Sequence, residues 1–353
     1  MTSKIATVSQ YGQKIWVDNI SREFLNSGAL AKMVKEDQIA GVTSNPAIFF
    51  KAISSDSRYQ EQLAKLKTEN LTPLERYEQM AISDIREACQ IMLPLYQSSN
   101  KEDGYVSLEV SPHLANDLAG TVKSALELWN AVAKPNLMIK VPATKEGVAA
   151  FEELVTLGIN VNITLLFSLS QVNAVWDAYI AGLEKRIDKG LPVAGIKTVA
   201  SFFLSRIDSA IDDKLPANLQ GKTAINLAKQ AYLDYQAIFH GERFKKLKNQ
   251  GAFSQYLLWA STGTKNKAYS DVLYVEELIG KETINTVPDA TLDAFRDHGV
   301  AANNLSKDIS NAAKVLKDVE ATGINLEELG AKLQMDGLKL FNDAFDQLLE
   351  LVK

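Results

Sequence analysis

Short apolar runs, rich in β-branched and aromatic residues, recur along this chain with longer amphipathic stretches between them. The runs are KIWVDN (14–19), IAGVTSN (39–45), GYVSLEVSP (104–112) and LMIKVPAT (137–144), then NVNITLLFS (160–168), TVASFFLS (198–205), QYLLWAST (255–262) and TINTVPDA (283–290). Each has the length of a strand. The stretches between them carry helix punctuation. Thr144 is placed to cap KEGVAAFEELVTL, and Gly158 follows its end. SLSQVNAVWDAYIAGLEKRI opens on serines and ends in cations, the polarity a helix dipole favours. Strands alternating with helices make parallel βα units, and eight of them is the number that closes a (β/α)8 TIM barrel. An open doubly wound sheet is the alternative, but its GxGxxG fingerprint is missing.

Two connections are too long for one crossover helix. Residues 51–100 and 206–254 are expected to hold extra helices, including PLERYEQMAISDIREACQIMLPLY and GKTAINLAKQAYLDYQAIF. The tail from about Leu305 to Lys353 is also helical in pattern, with Gly330 and Gly337 as interruptions. No repeat, low-complexity tract or Pro/Gly linker divides the chain. A single barrel domain over 1–353, with helical insertions after the second and sixth strands and at the C-terminus, is the expectation.

The strands end in polar residues. In order these are Asp18-Asn19, Thr43-Ser44-Asn45, Glu109 with Ser111, Lys140 with Thr144, and Asn162 with Thr164. Ser201 with Ser205, Ser261-Thr262, and Asp289 after Pro288 complete the set. In a barrel such positions converge on the C-terminal face, where active sites form. Each also has a structural reading. Asn45 before Pro46 is a good helix cap. Asn162 and Thr164 could satisfy each other inside the barrel. Asp18 could pair with Lys140 as a buried ion pair of uncertain net benefit, and Glu109 could likewise be only a partner for an inward cation.

Lys140 stands in the middle of an apolar run, where an ammonium is costly. A neutral lysine amine attacks a ketone to form an imine, which withdraws electrons and permits cleavage of a neighbouring carbon–carbon bond. At an ordinary pKa only about one lysine in a few thousand is neutral at pH 7, and apolar surroundings lower that pKa. Ile139 and Val141 flank Lys140 and are expected to build such surroundings. The chemistry needs acid/base groups, and Asp18 and Glu109 are the carboxylates at strand ends. Asn45 and Asn162 suit the hydroxyls of a polyol. Lys197 is the competing lysine, but it precedes its apolar run and so falls at the opposite end of a barrel.

Composition narrows the classes further. The chain has 353 residues, 46% hydrophobic and 23% charged, with a net charge of −5. That balance argues against a nucleic-acid surface. No run reaches the roughly 18 apolar residues of a membrane span, and the N-terminus lacks the apolar run of a signal peptide. With Cys89 as the sole cysteine, a reducing, cytoplasmic location is expected. His113, His240 and His298 are far apart, and no HxH, HExxH or EF-hand spacing occurs, so no metal is expected. GxxxxGK[ST] is missing as well.

Three motifs together resemble the transaldolase family, in its longer bacterial type. GVTSNPAIF (41–49) is similar to the first family signature and LMIKVPATKEG (137–147) to the second, which is centred on the Schiff-base lysine. GINVNITLLFS (158–168) is similar to the fifth-strand segment. The resemblance runs from Asp18 to about Asp289. It implies a cofactor-free barrel of the pentose phosphate pathway acting on sugar phosphates. Such an enzyme moves a dihydroxyacetone unit from sedoheptulose 7-phosphate to glyceraldehyde 3-phosphate, giving erythrose 4-phosphate and fructose 6-phosphate. Carried over by motif, Lys140 is the nucleophile and Asp18 the acid/base for cleavage. Glu109 and Thr164 hold a proton-shuttling water, and Asn45 and Asn162 bind substrate hydroxyls. Ser201, Phe203 and Arg206 match the sixth-strand segment, whose arginine binds phosphate. After the seventh strand the text is ASTGTKN: Ser261 is matched, two residues are extra, and Lys265 stands where the family's second phosphate-binding arginine would be. A fructose 6-phosphate aldolase, typically a shorter chain, and a non-catalytic sugar-phosphate-binding barrel are the alternatives. Monomer and homodimer both stay open.

Overall fold

The computed structural model describes residues 3–353. Eight parallel strands close a barrel in chain order. They are β1 (Gln13–Asp18), β2 (Gly41–Thr43), β3 (Tyr105–Glu109), β4 (Leu137–Pro142), β5 (Val161–Leu166), β6 (Thr198–Phe203), β7 (Tyr256–Ala260) and β8 (Thr283–Val287). β1 pairs with both β2 and β8, which completes the closure. Six of the eight strands, β2 to β6 and β8, are buried at every position, because the lumen packs one face and the surrounding helices the other.

All eight apolar runs form strands, but the strands stop short of the runs' polar ends. The reason is capping. Asn45 accepts the Ile48 N–H at 3.0 Å, and Thr144 accepts that of Gly147 at 2.9 Å. Ser168 and Gln171 form a reciprocal capping box. A residue that caps a helix has left the strand ladder. The cap at Thr144 and the left-handed Gly158 close Lys145–Leu157 at its two ends, as its sequence predicts.

The long connections hold the extra helices. Pro46–Ser55, Gln60–Lys67 and Pro73–Ser98 follow β2, while Ser205–Ile211, Thr223–Phe239 and Glu242–Lys248 follow β6. The tail adds Ala312–Glu320 and the long C-terminal helix Leu326–Leu351. Gly330 and Gly337 do not interrupt that helix, contrary to the pattern-based expectation. They are points of close approach. A Cβ on Gly330 would lie 2.5 Å from the Ser168 Cβ, and one on Gly337 would lie 3.0 Å from the Leu165 Cδ2. Packing against the barrel outweighs the roughly 1 kcal/mol that each glycine costs a helix.

The N-terminal end of the barrel is closed by Lys14 and Asp103, 2.8 Å apart, and by buried Lys197, which pairs with Glu102. The Lys197 ammonium also sits over the Phe253 and Tyr256 rings, at 4.7 and 4.4 Å from their centroids. Lys197 is thus remote from the C-terminal mouth. No helix among the described residues is long and apolar enough to cross a membrane.

Candidate active site

One pocket at the C-terminal mouth collects side chains from seven of the eight strands or their ends. Asp18 comes from β1, Thr43 and Asn45 from the end of β2, Lys140 from β4, Thr164 from β5, and Thr286 from β8. Ser201, Phe203 and Arg206 line it from β6 and its following turn, and Ser261, Gly263 and Lys265 from the loop after β7. Phe341 enters from the C-terminal helix.

Strand alternation points Lys140 into the lumen and its neighbours Ile139 and Val141 outward, where they are fully buried. The apolar surroundings expected from those two residues are therefore not what the amine meets. Lys140 Nζ donates to the Ser44 carbonyl at 3.1 Å and lies 3.2 Å from Glu109 Oε2. The Phe341 ring centroid is 5.3 Å away. Register fixes the acid–amine contact, because Glu109 and Lys140 stand opposite each other on adjacent strands.

Asp18 does not bond the lysine. It accepts the Thr43 hydroxyl at 2.6 Å, and Thr43 in turn meets Thr286 at 2.6 Å. The buried Asp18–Lys140 pair considered from sequence is not formed; Glu109, one strand from Lys140, takes that place. Burial pushes the Asp18 carboxyl above its ordinary range, against the pull of Lys140 and the Thr43 hydrogen bond. Burial likewise raises Glu109, with Lys140 opposing and the like charge of Asp18 adding to the rise.

Asn162 and Thr164 do not satisfy each other. Asn162 is fully buried; its amide donates to Ser107 Oγ at 3.1 Å and accepts from Ser201 Oγ at 2.6 Å. It lies outside the pocket lining, bonded to Ser201 and in register with Lys140. The Thr164 hydroxyl is buried and unpartnered among the described residues, and so is Glu109 Oε1. Asn45 does both things the sequence allowed. Its side-chain oxygen Oδ1 caps the helix, and the same side chain lines the pocket.

One rim carries an uncompensated cation. Arg206 Nη1 is buried without a partner, and no acid pairs with the guanidinium among the described residues. The guanidinium carbon lies 5.6 Å from the Phe203 ring centroid. Ser261 has a left-handed backbone, φ 54°, and its hydroxyl meets that of Ser205 at 3.0 Å, tying the ends of β6 and β7 together. Lys265 is exposed at the pocket edge.

The ring read from sequence is incomplete in places. Asn19 and Asp289 bond each other at 2.8 Å outside this pocket, and Thr144 is spent on its cap and on the Ala115 carbonyl. Thr286 and Phe341 are pocket groups the sequence did not mark. Alternation along TINTV was a usable signal for Thr286. Nothing local marks Phe341.

The fold and site define a (β/α)8 enzyme whose pocket holds a buried amine bonded to one carboxyl, a second carboxyl in its lining and a free arginine at its rim. Residues 15–352 match the family described as Transaldolase/Fructose-6-phosphate aldolase, and the chain belongs to that family. It is 52% identical over 345 residues to a Neisseria gonorrhoeae protein named Transaldolase, covering 98% of each chain. It is 50% identical over 349 residues to the Thiobacillus denitrificans protein of that name, covering 97% of each. A Nostoc punctiforme protein named Transaldolase 2 is 42% identical over 368 residues, covering 99% of this chain and 96% of that one.

Proposed function

We propose the following course for the transaldolase reaction of this chain. Lys140 adds to the C2 carbonyl of a ketose phosphate donor and loses water to form an iminium. Asp18 takes the proton of the C4 hydroxyl, the C3–C4 bond breaks, and its electron pair flows to the iminium nitrogen as an enamine. The aldose phosphate leaves. The enamine attacks the aldehyde of glyceraldehyde 3-phosphate, Asp18 returns the proton, and water releases the ketose from Lys140. Glu109, bonded to the amine, handles the proton transfers of imine formation and hydrolysis through a water shared with Thr164. Their two unpartnered oxygens support that role. Asn45 and Ser201 hold hydroxyls of the three-carbon unit, and Asn162, bonded to Ser201, acts on them through that serine.

The carrying observation is the placement of Lys140. Its amine is 3.2 Å from one carboxylate, while a second, Asp18, lines the same pocket without bonding it. Borohydride reduction in the presence of fructose 6-phosphate, followed by intact mass, tests the reading. Near full-length identity to proteins named Transaldolase favours transfer over simple aldol release. With donor alone, turnover is expected to stop after one enamine per site. The lone buried Cys89 fits the reducing cytoplasm as the setting.

Arg206 is the proposed phosphate anchor, with Lys265 as a flexible point charge beside it. Arg206→Ala is expected to cost about 10²-fold in kcat/KM with glyceraldehyde 3-phosphate, and Lys265→Ala about tenfold or less. Both penalties shrink with unphosphorylated glyceraldehyde. Steady-state kinetics on the two acceptors checks this, and equal penalties on both would assign the cations to pocket shape.

A further inference from the structure

Residues 330, 334, 337 and 341 follow spacings of four, three and four, so they share one face of the C-terminal helix. That face lies across the ends of β4 and β5. Gly330 and Gly337 bring the helix backbone close to Ser168 and Leu165. Between them Gln334 reaches the barrel. Its Nε2 donates to the Ala143 carbonyl at 2.8 Å and to the Leu165 carbonyl at 3.0 Å.

These two carbonyls occupy telling places. Ala143 directly follows β4, which carries Lys140. Leu165 directly follows Thr164 and has a left-handed backbone, φ 64°. A leucine inside a strand does not adopt that conformation unless its surroundings impose it. The pairing of β5 with β6 shifts register at the same point, between Ile163 and Leu166. Such irregularities re-aim the neighbouring side chain. The neighbour is Thr164, whose carbonyl accepts from Ala143 N–H at 2.8 Å and whose buried hydroxyl has no partner in the protein among the described residues.

We propose that Gln334 is a positioning residue: by clasping the Ala143 and Leu165 carbonyls together it holds the irregular end of β5 so that the Thr164 hydroxyl faces the Lys140 pocket. The inference rests on the reading of Thr164 as a participant in imine formation. One turn of helix separates the glycines from Gln334 on either side. They set the depth at which an amide, and no shorter side chain, spans to both strand ends. Phe341, further along the same face, roofs Lys140.

Gln334→Met keeps the length and packing and removes both hydrogen bonds. In the full-length enzyme with fructose 6-phosphate, its rate of borohydride-trappable adduct formation is expected to fall about 10- to 100-fold, the scale of a small misplacement. KM is expected to stay within about twofold. Combined with Thr164→Val, the two penalties should overlap and not multiply. If Gln334→Met fails to fold, Gln334→Glu decides: its carboxylate donates to neither carbonyl and its protonated form to one, so part of its lost rate relative to wild type should return as pH falls. A wild-type trapping rate in Gln334→Met, multiplying penalties, or a Gln334→Glu ratio flat in pH would each overturn the role of Gln334. Absence of any adduct in the wild type would instead remove the imine reading, and this inference with it.

Discussion

Borohydride, added to the enzyme with fructose 6-phosphate, is expected to fix a three-carbon adduct on Lys140. The carbons beyond the cleaved bond leave as aldehyde, so hydride meets the three-carbon iminium that persists. The competing lysine of the barrel, Lys197, is held at the opposite end against Glu102, Phe253 and Tyr256, and Lys265 is exposed at the pocket edge. Peptide mapping of the reduced protein identifies the site, and an adduct on Lys197 would sink the assignment. Lys140→Ala is expected to lower kcat by at least about 10⁴-fold, the scale on which an enzyme loses its nucleophile. The variant should still fold. Glu109 would lose its partner, but its raised pKa lets it take up a proton and avoid a bare buried charge. The sign of the pH effect follows. Without the lysine, Glu109 is raised further, so the folded state binds more protons than the unfolded chain above the ordinary carboxylate pKa. Thermal stability of Lys140→Ala, relative to wild type, should therefore fall as pH rises from about 4.3 toward that raised value. A difference constant across this window would show that Glu109 is not the titrating group.

Asp18→Ala and Glu109→Ala are expected to fail at different steps, each costing about 10²- to 10⁴-fold as acid–base groups do. Without Asp18 the donor still reaches Lys140, but the hydroxyl proton has no acceptor and the carbon–carbon bond holds. Trapping should then yield a six-carbon adduct in place of the three-carbon one. Without Glu109 the amine keeps only the Ser44 carbonyl, and adduct formation of either length should slow. Intact mass after single-turnover trapping separates the two, and identical adducts formed at identical rates would refute the division. In the proposed course, cleavage needs Asp18 as carboxylate. Because burial raises its pKa, the acid limb of cleavage in the wild type should lie above the ordinary range near 3.9. A limb at the ordinary value would place the proton acceptor elsewhere.

Much of this molecule was legible in one dimension. Strands buried on both faces read as continuous apolar runs, and eight of them between capped helices specify a closed barrel. Lys140 was conspicuous because a charge inside such a run demands a reason, Asp18 and Thr164 followed as polar ends of their strands, and Arg206 was marked only by the family resemblance. Long-range placement was not legible. That Glu109 and not Asp18 meets the lysine depends on how β3 aligns with β4, and register is a property of the assembled sheet. That Asn162 is committed to Ser107 and Ser201 depends on which residues share its layer of the lumen. The left-handed turn at Leu165 opposes local preference and persists where packing imposes it. Gln334 and Phe341 belong to a helix whose own sequence shows only amphipathic periodicity and two glycines that looked like breaks. Periodicity sets which face a helix buries; the surface it is buried against is settled only when distant parts of the chain compete for the same apolar contacts in space.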